Sequence, residues 1–400
     1  MAKEAEFYKK KLKNGLTVLF EKRRIPVVTS SVSVKFGSEY EPENLKGVSH
    51  FIEHLVFKGT KNRTLKEISD EVEKKGGILN AFTSEEITSY WNKLPSKHLQ
   101  AGIDLAADLA LNPLFRKLDV ERERKVILEE IKMYHDNPQV YVLEKIKELL
   151  YRKPFGMFGA GTIETMSKIS RSDVLEIFNS VYSTGNMILA VVGKADFKEI
   201  CNLGEKIFPK EKKLIKEKIP IMKNERLIEK RKGIDQANMI LGFHMPTLCD
   251  KRRYAAEILD VILGKGMSSR LFQEIREKRG LAYVVRGLLE QDKNYGYEMI
   301  YVGTTKDKIK KVKELILKEI KKMQNLEKRD FDEAKEQLLG LRKVASEGSE
   351  TAMINLILEE NAGKAEEYYK YHDRINSVKL KDVRNLAKLK GYSFIALVPY

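Results

Sequence analysis

The sequence predicts an α+β protein made of two homologous α/β domains, each a sheet with helices packed against it, joined by a linker. Three observations carry that expectation. The 400 residues exceed one average domain. One order of elements, strands then helices then a closing strand, runs once before residue 210 and returns after residue 227. Between them, residues 210–227 are charged, contain Pro220 and show no clear period, as a connection does. The expected domains are 1–210 and 228–400, with 211–227 as the linker.

Residues 6–13 and 16–21 flank Asn14-Gly15, the pairing that closes a tight hairpin. Val32, Val34 and Phe36 alternate with Ser33 and Lys35, giving a third strand. Helices are expected around His50 and over 65–75, the latter ended by Gly76-Gly77. Strands follow at 78–83 and 88–94, then a helix over 97–112. Asp119 is placed to cap a helix running to His135, before Asn137-Pro138, and another helix spans 140–151. A glycine-rich loop (Gly156, Gly159, Gly161) and a strand at 187–192 end the first half. In the second half, strands are expected at 239–243, 281–289, 297–303 and 394–398. Helices are expected at 253–263, 268–278, 306–324 and 331–345, with more helix beyond.

The composition is that of a globular chain, 42% hydrophobic and 33% charged. The net charge of +16 raises nucleic acid as a partner, but 58 acidic residues are interspersed with 74 basic ones, so no nucleic-acid surface is expected. No apolar run is long enough to span a membrane, and the N-terminal MAKEAEFYKKKLKNG lacks an apolar signal core. Two cysteines far apart, Cys201 and Cys249, argue against a disulfide framework and make a reducing, cytoplasmic compartment the default expectation.

The chemistry concentrates in His50-Phe51-Ile52-Glu53-His54. On a helix, His50, Glu53 and His54 fall within an arc of about 100°, so two imidazoles can grip one metal ion with a carboxylate beside them. Phe51, Ile52, Leu55 and Val56 fill the opposite arc and face a core. H-x-x-E-H is the reverse of the H-E-x-x-H signature of zinc peptidases. Zinc on two histidines needs a further protein ligand, often a carboxylate. On the helix through 120–134, Val120, Ile127, Ile131 and Tyr134 define the apolar arc, with Glu123 and Glu130 at its edge. Glu129 points about 100° away, toward solvent. A carboxylate at a buried edge is costly unless paired or metal-bound, so Glu130 is the better ligand and Glu123 an imidazole-orienting carboxylate. The alternative reading is that both are ordinary surface glutamates.

His50 to His54, followed by Leu55-Val56-Phe57-Lys58-Gly59-Thr60, resembles the pitrilysin (insulinase) zinc metallopeptidases, in particular the bacterial and mitochondrial processing peptidase branch. The resemblance implies His50, His54 and Glu130 as Zn²⁺ ligands, Glu53 as general base and Glu123 as a supporting carboxylate. It implies that Asn80, Ala81, Phe82 and Thr83 lie on an edge strand that pairs with an extended peptide. Arg276 and Tyr283 match a pair that helps bind the substrate carbonyl. The same resemblance implies half of a clamshell, two such chains enclosing a chamber as a homodimer, with Arg276 and Tyr283 acting across it. The expected activity is zinc-dependent endopeptidase cleavage of peptides or presequence-like segments. A non-catalytic scaffold subunit, or an active subunit needing an inactive homologous partner, is the alternative.

Overall fold

The computed structural model describes residues 6–210 and 217–400; residues 211–216 of the expected linker lie outside that range. The chain opens with the predicted hairpin, β1 (Glu6–Lys11) against β2 (Thr17–Lys22). Asn14 accepts the Leu16 N–H at 3.1 Å, and Gly15 adopts a φ of 102°, open to glycine at no steric cost. β3 (Val27–Val34) starts earlier than the alternation indicated and stops short of Phe36, which is buried past its end. Then come α1 (Val48–Val56), α2 (Leu65–Glu73), β4 (Ile78–Thr83), β5 (Thr88–Pro95) and α3 (Leu99–Leu111). α4 (Lys117–Asp136) begins before Asp119, so that residue lies within the first turn, where its charge suits the helix N-terminus, rather than at the cap. α5 (Pro138–Leu150), α6 (Ile163–Lys168), α7 (Arg171–Val181), β6 (Met187–Gly193) and α8 (Phe197–Ile207) complete the first half.

In the second half, β7 (Arg226–Arg231) and β8 (Ala237–His244) lead to α9 (Arg253–Gly264). The helix expected over 268–278 is a π-helical stretch, Phe272–Glu277. β9 (Ala282–Gln291), β10 (Gly296–Thr304), α10 (Ile309–Lys322), α11 (Lys328–Ala345) and α12 (Ser349–Asn361) follow. The chain closes with α13 (Tyr371–Ser377), α14 (Leu380–Leu386) and β11 (Ser393–Pro399).

The duplication is explicit in the sheets. The first runs β1-β2-β6-β3-β5-β4 and the second β7-β11-β8-β10-β9. Apart from the extra β1, the two orders correspond strand for strand. Each also has one parallel pair, β2 with β6 and β7 with β11. β6 and β10 are buried along their whole length, which explains the unbroken apolar run of β6.

The two compact units are not the contiguous stretches 1–210 and 228–400. One gathers Met1–Ile131, Gly159–Lys218 and Ala345–Tyr369; the other gathers Lys132–Phe158, Ile219–Val344 and Lys370–Tyr400. The cause is an exchange of helices. On the first sheet, Leu19, Ile188, Ala190 and Val192 pack against Ala352, Met353, Leu356 and Ile357 of α12. On the second, Ile240, Ile395 and Leu397 pack against Val142, Ile146 and Leu150 of α5. α4–α5 and α11–α12 are the equivalent helix pairs of the two halves, so each sheet is covered on one face by the other half's helix. Hydrogen bonds secure the exchange in the first unit: Thr29 meets Ser349 at 2.8 Å and Asn361 donates to Glu86 at 2.6 Å.

Candidate metal and active site

α1 buries Val48, Phe51, Ile52, Leu55 and Val56, which leaves His50, Glu53 and His54 on its open face. Its start is held tightly. Gly47 precedes it with a φ of 98°, and a Cβ there would come within 2.6 Å of the Ala160 carbonyl oxygen. The fully buried Glu41 carboxylate accepts the Gly47 and Ser49 N–H groups at 2.9 and 2.7 Å, serving the orphan donors of the first turn. Lys46, also fully buried, stands 3.8 Å from Glu41 and donates to the Ser38 carbonyl at 2.6 Å. Burial pushes the Glu41 carboxyl above its ordinary value, opposed by Lys46 and the two backbone donors.

The structure brings the three sequence-predicted metal ligands together. His50 Nε2 and His54 Nε2 lie 3.2 Å apart, and Glu130 Oε2 lies 3.8 Å from the first and 3.5 Å from the second. They form a group able to hold one metal ion. Zinc bonds of about 2.0–2.2 Å in a tetrahedron place neighbouring donor atoms roughly 3.3–3.5 Å apart, and the observed separations bracket that edge. The donor set also fits: burial, then the neighbouring His54, lowers His50 to about 4, so its imidazole is neutral and its lone pair free at pH 7. On α4, Glu123 is buried and Glu129 exposed, as the helical wheel indicated.

Glu123 stands beside the second histidine. Its Oε2 lies 3.4 Å from His54 Nδ1, and its Oε1 lies 2.8 Å from Lys58 Nζ. A carboxylate accepting the Nδ1–H fixes the tautomer that presents Nε2 to a metal. His50 Nδ1 is buried and meets no hydrogen-bond partner among the described residues. Glu53 accepts a hydrogen bond from Thr83 Oγ1, and burial raises its carboxyl above the ordinary range while that bond opposes the rise. Tyr90 and Tyr182, whose hydroxyls meet at 2.7 Å, lie close enough to Glu53 that its charge raises both phenols, after the larger effect of burial.

β4 is the free edge of its sheet, as expected of the segment carrying Asn80, Ala81, Phe82 and Thr83. Its residues divide by face. Thr83 reaches Glu53 of α1, whereas Phe82 packs with the α12 cluster. The Ala81 N–H is met by the Asn80 side-chain oxygen at 2.8 Å. Arg276 and Tyr283 belong to the other unit. Arg276 lies within the π-helical stretch, its guanidinium 4.7 Å from the Phe272 ring centre and 5.8 Å from that of Tyr283, which is 73% exposed. With Gly264, Met267 and Phe272 they line a cavity of about 440 Å³. Lys58, Thr83's tie to Glu53, Glu41 and the tyrosine pair were not foreseen from sequence. Each depends on elements that only the folded chain brings together.

Residues 17–159 match the family described as Insulinase (Peptidase family M16), and residues 168–338 match the Peptidase M16 inactive domain. A protein of Rickettsia felis named an uncharacterized zinc protease is 36% identical over 317 residues, covering 78% of this chain and 76% of its own. A Bacillus subtilis protein of similar name is 30% identical over 384 residues, 94% of this chain and 93% of that one. Among solved structures, a protease from Helicobacter pylori superposes with a TM-score of 0.90 at 23% identity, covering 99% of this chain and 100% of that one. A Pseudomonas fluorescens protein described as a peptidase M16 inactive domain gives 0.88 at 18% identity, over 99% and 98% of the two chains. No helix among the described residues is long and apolar enough to cross a membrane. With both family domains matched in order and full-length relatives at this identity, the chain belongs to peptidase family M16, the insulinase family.

Proposed function

We propose that the chain is a zinc-dependent endopeptidase that cleaves peptides or unfolded segments held in extended form. The observation carrying this reading is the meeting of His50, His54 and Glu130 beside a half-buried Glu53. His50, His54 and Glu130 would hold Zn²⁺, which when bound would supply Lewis acidity toward a peptide carbonyl and make a water more acidic. Glu53 takes the proton from the attacking water and passes it to the leaving amide nitrogen. Thr83 fixes one of its oxygens. β4 offers its open edge to the substrate backbone, a mode that selects extended chains over folded ones. A strand docked at Ala81 takes over the amide that Asn80 now meets.

Arg276 and Tyr283 serve the substrate carbonyl, as donors aimed at developing negative charge. In a homodimer closing as a clamshell, the pair on one chain faces the zinc site of its partner. Neither Cys201 nor Cys249 forms a disulfide, which suits the reducing cytoplasm. Replacing Glu53 with Gln keeps the size of the side chain and removes the base. The variant is expected to retain zinc yet lose peptide cleavage by about 10²–10⁴-fold or more. Wild-type turnover from the purified Glu53→Gln protein, with zinc content measured alongside, would refute the assignment.

A further inference from the structure

We infer that Lys58 is a positioning residue for the metal centre, acting through Glu123 on the His54 imidazole; this rests on the zinc-site reading above. Glu123 has one oxygen on each side of a relay. Oε2 faces His54 Nδ1 at 3.4 Å, and Oε1 faces the Lys58 ammonium at 2.8 Å. The terminal torsion of a glutamate is soft, so one contact alone does not set the carboxylate plane. Two contacts on opposite oxygens do. An ordinary surface ion pair contributes little, but the Glu123 side chain is 8% exposed and that of Lys58 29%. A carboxylate so enclosed depends on its partner far more than an exposed one does.

The backbone beneath Lys58 is itself fixed. Its N–H donates to the Leu55 carbonyl at 3.1 Å, extending the last turn of α1. The next residues are pinned to α3 and the segment after it: Leu114 N–H donates to the Gly59 carbonyl at 3.1 Å, Lys61 N–H to the Asn112 carbonyl at 2.9 Å, and Thr60 Oγ1 to Asp108 at 2.5 Å. Arg63 ties the far end of the loop to Asp108, Glu71 and Asp104 at 2.6–2.9 Å. A lysine on a mobile loop would follow its carboxylate. Here the loop is anchored, so the ammonium sets where Glu123 sits, and Glu123 sets the His54 ring.

The test is zinc affinity, read by competition with a chromogenic chelator on the full chain, for the wild type and for Lys58→Met, Lys58→Arg, Glu123→Gln and the double variant Lys58→Met/Glu123→Gln. Lys58→Met should weaken zinc binding about 10- to 100-fold, the range for partners standing behind a metal ligand. Lys58→Arg, which keeps the charge, should recover most of that loss. In the Glu123→Gln background, removing Lys58 should change affinity by less than about 3-fold, because the relay is already broken. A loss from a merely loosened fold would appear equally in both backgrounds. Wild-type affinity in Lys58→Met, or full additivity in the double variant, overturns the inference. A wild-type chain that binds zinc with these effects but cleaves no peptide leaves the Lys58 role standing and defeats the peptidase reading. A wild-type chain that binds no zinc defeats both.

Discussion

The two histidines of the site are held by different means. His54 leans on Glu123 through its Nδ1, whereas the buried Nδ1 of His50 has no such tether among the described residues. The third donor is distinguished from its neighbour by rotation alone: Glu130 turns toward the histidines and Glu129 toward solvent. Glu130→Gln should therefore lower retained zinc by about 100-fold or more, a ligand loss exceeding that of a supporting residue, while Glu129→Gln should leave it within about 2-fold. Metal analysis after dialysis against a weak chelator reads this directly, and the opposite ranking would show that the helix presents the other carboxylate. At this scale the sequence was most legible where geometry is local. His50, Glu53 and His54 share a helix face, and Glu123 and Glu130, seven apart, share another, so periodicity alone orients them. Lys58 and Thr83 were not legible in the same way. Their partners are distant in sequence, and nothing in a lysine before glycine or a threonine ending a strand announces a tie to a metal-site carboxylate.

The element on which the site depends is α1, and its stability is concentrated at its first turn. Glu41 satisfies two orphan backbone donors and stands beside the buried Lys46. Replacing it with Ala strands those N–H groups and removes a carboxylate 3.8 Å from the buried Lys46 ammonium. The expected cost is about 3–5 kcal/mol, as for breaking a buried pair by removing one partner. Denaturant unfolding of Glu41→Ala and wild type, both without zinc, measures the difference; a loss below about 1 kcal/mol would mean that the turn has other support. Strands with clear alternation, such as β4 and β5, were legible with little shift of their ends. β7 was not, because RLIEKR sits in a charged stretch and shows only half-buried alternation; its first two residues fell in the expected linker and the rest in no expected element. α6, α7 and α8 were also missed. The first is a short, largely polar helix of 6 residues, and α7 and α8 bury few side chains between charged ones.

For the whole molecule, the repeated order of elements was readable because each half repeats the strand and helix periods in the same sequence. The exchange of α5 and α12 was not. An apolar helix face states that it needs a sheet, not which of two similar sheets receives it. The proposed assembly has a comparable logic, since a complete set of groups on one chain does not say whose active site each group serves. Glu53 belongs to one compact unit and Tyr283 to the other, where it is 73% exposed. If Tyr283 acts on the partner's substrate in a two-fold dimer, Glu53→Gln and Tyr283→Phe damage different contributions to the same composite site. Each homodimer alone should be nearly inactive or strongly impaired. Mixed under conditions that allow subunit exchange, about half the dimers become mixed, and each mixed dimer holds one site with intact Glu53 and intact Tyr283, restoring roughly a quarter of wild-type activity. If the tyrosine serves its own chain, every site in the mixture lacks one group and activity stays at the mean of the two parents. Measuring peptide hydrolysis before and after exchange, with mixed dimers confirmed by differential tagging, separates the two arrangements. A gain above the parental mean requires action across the dimer.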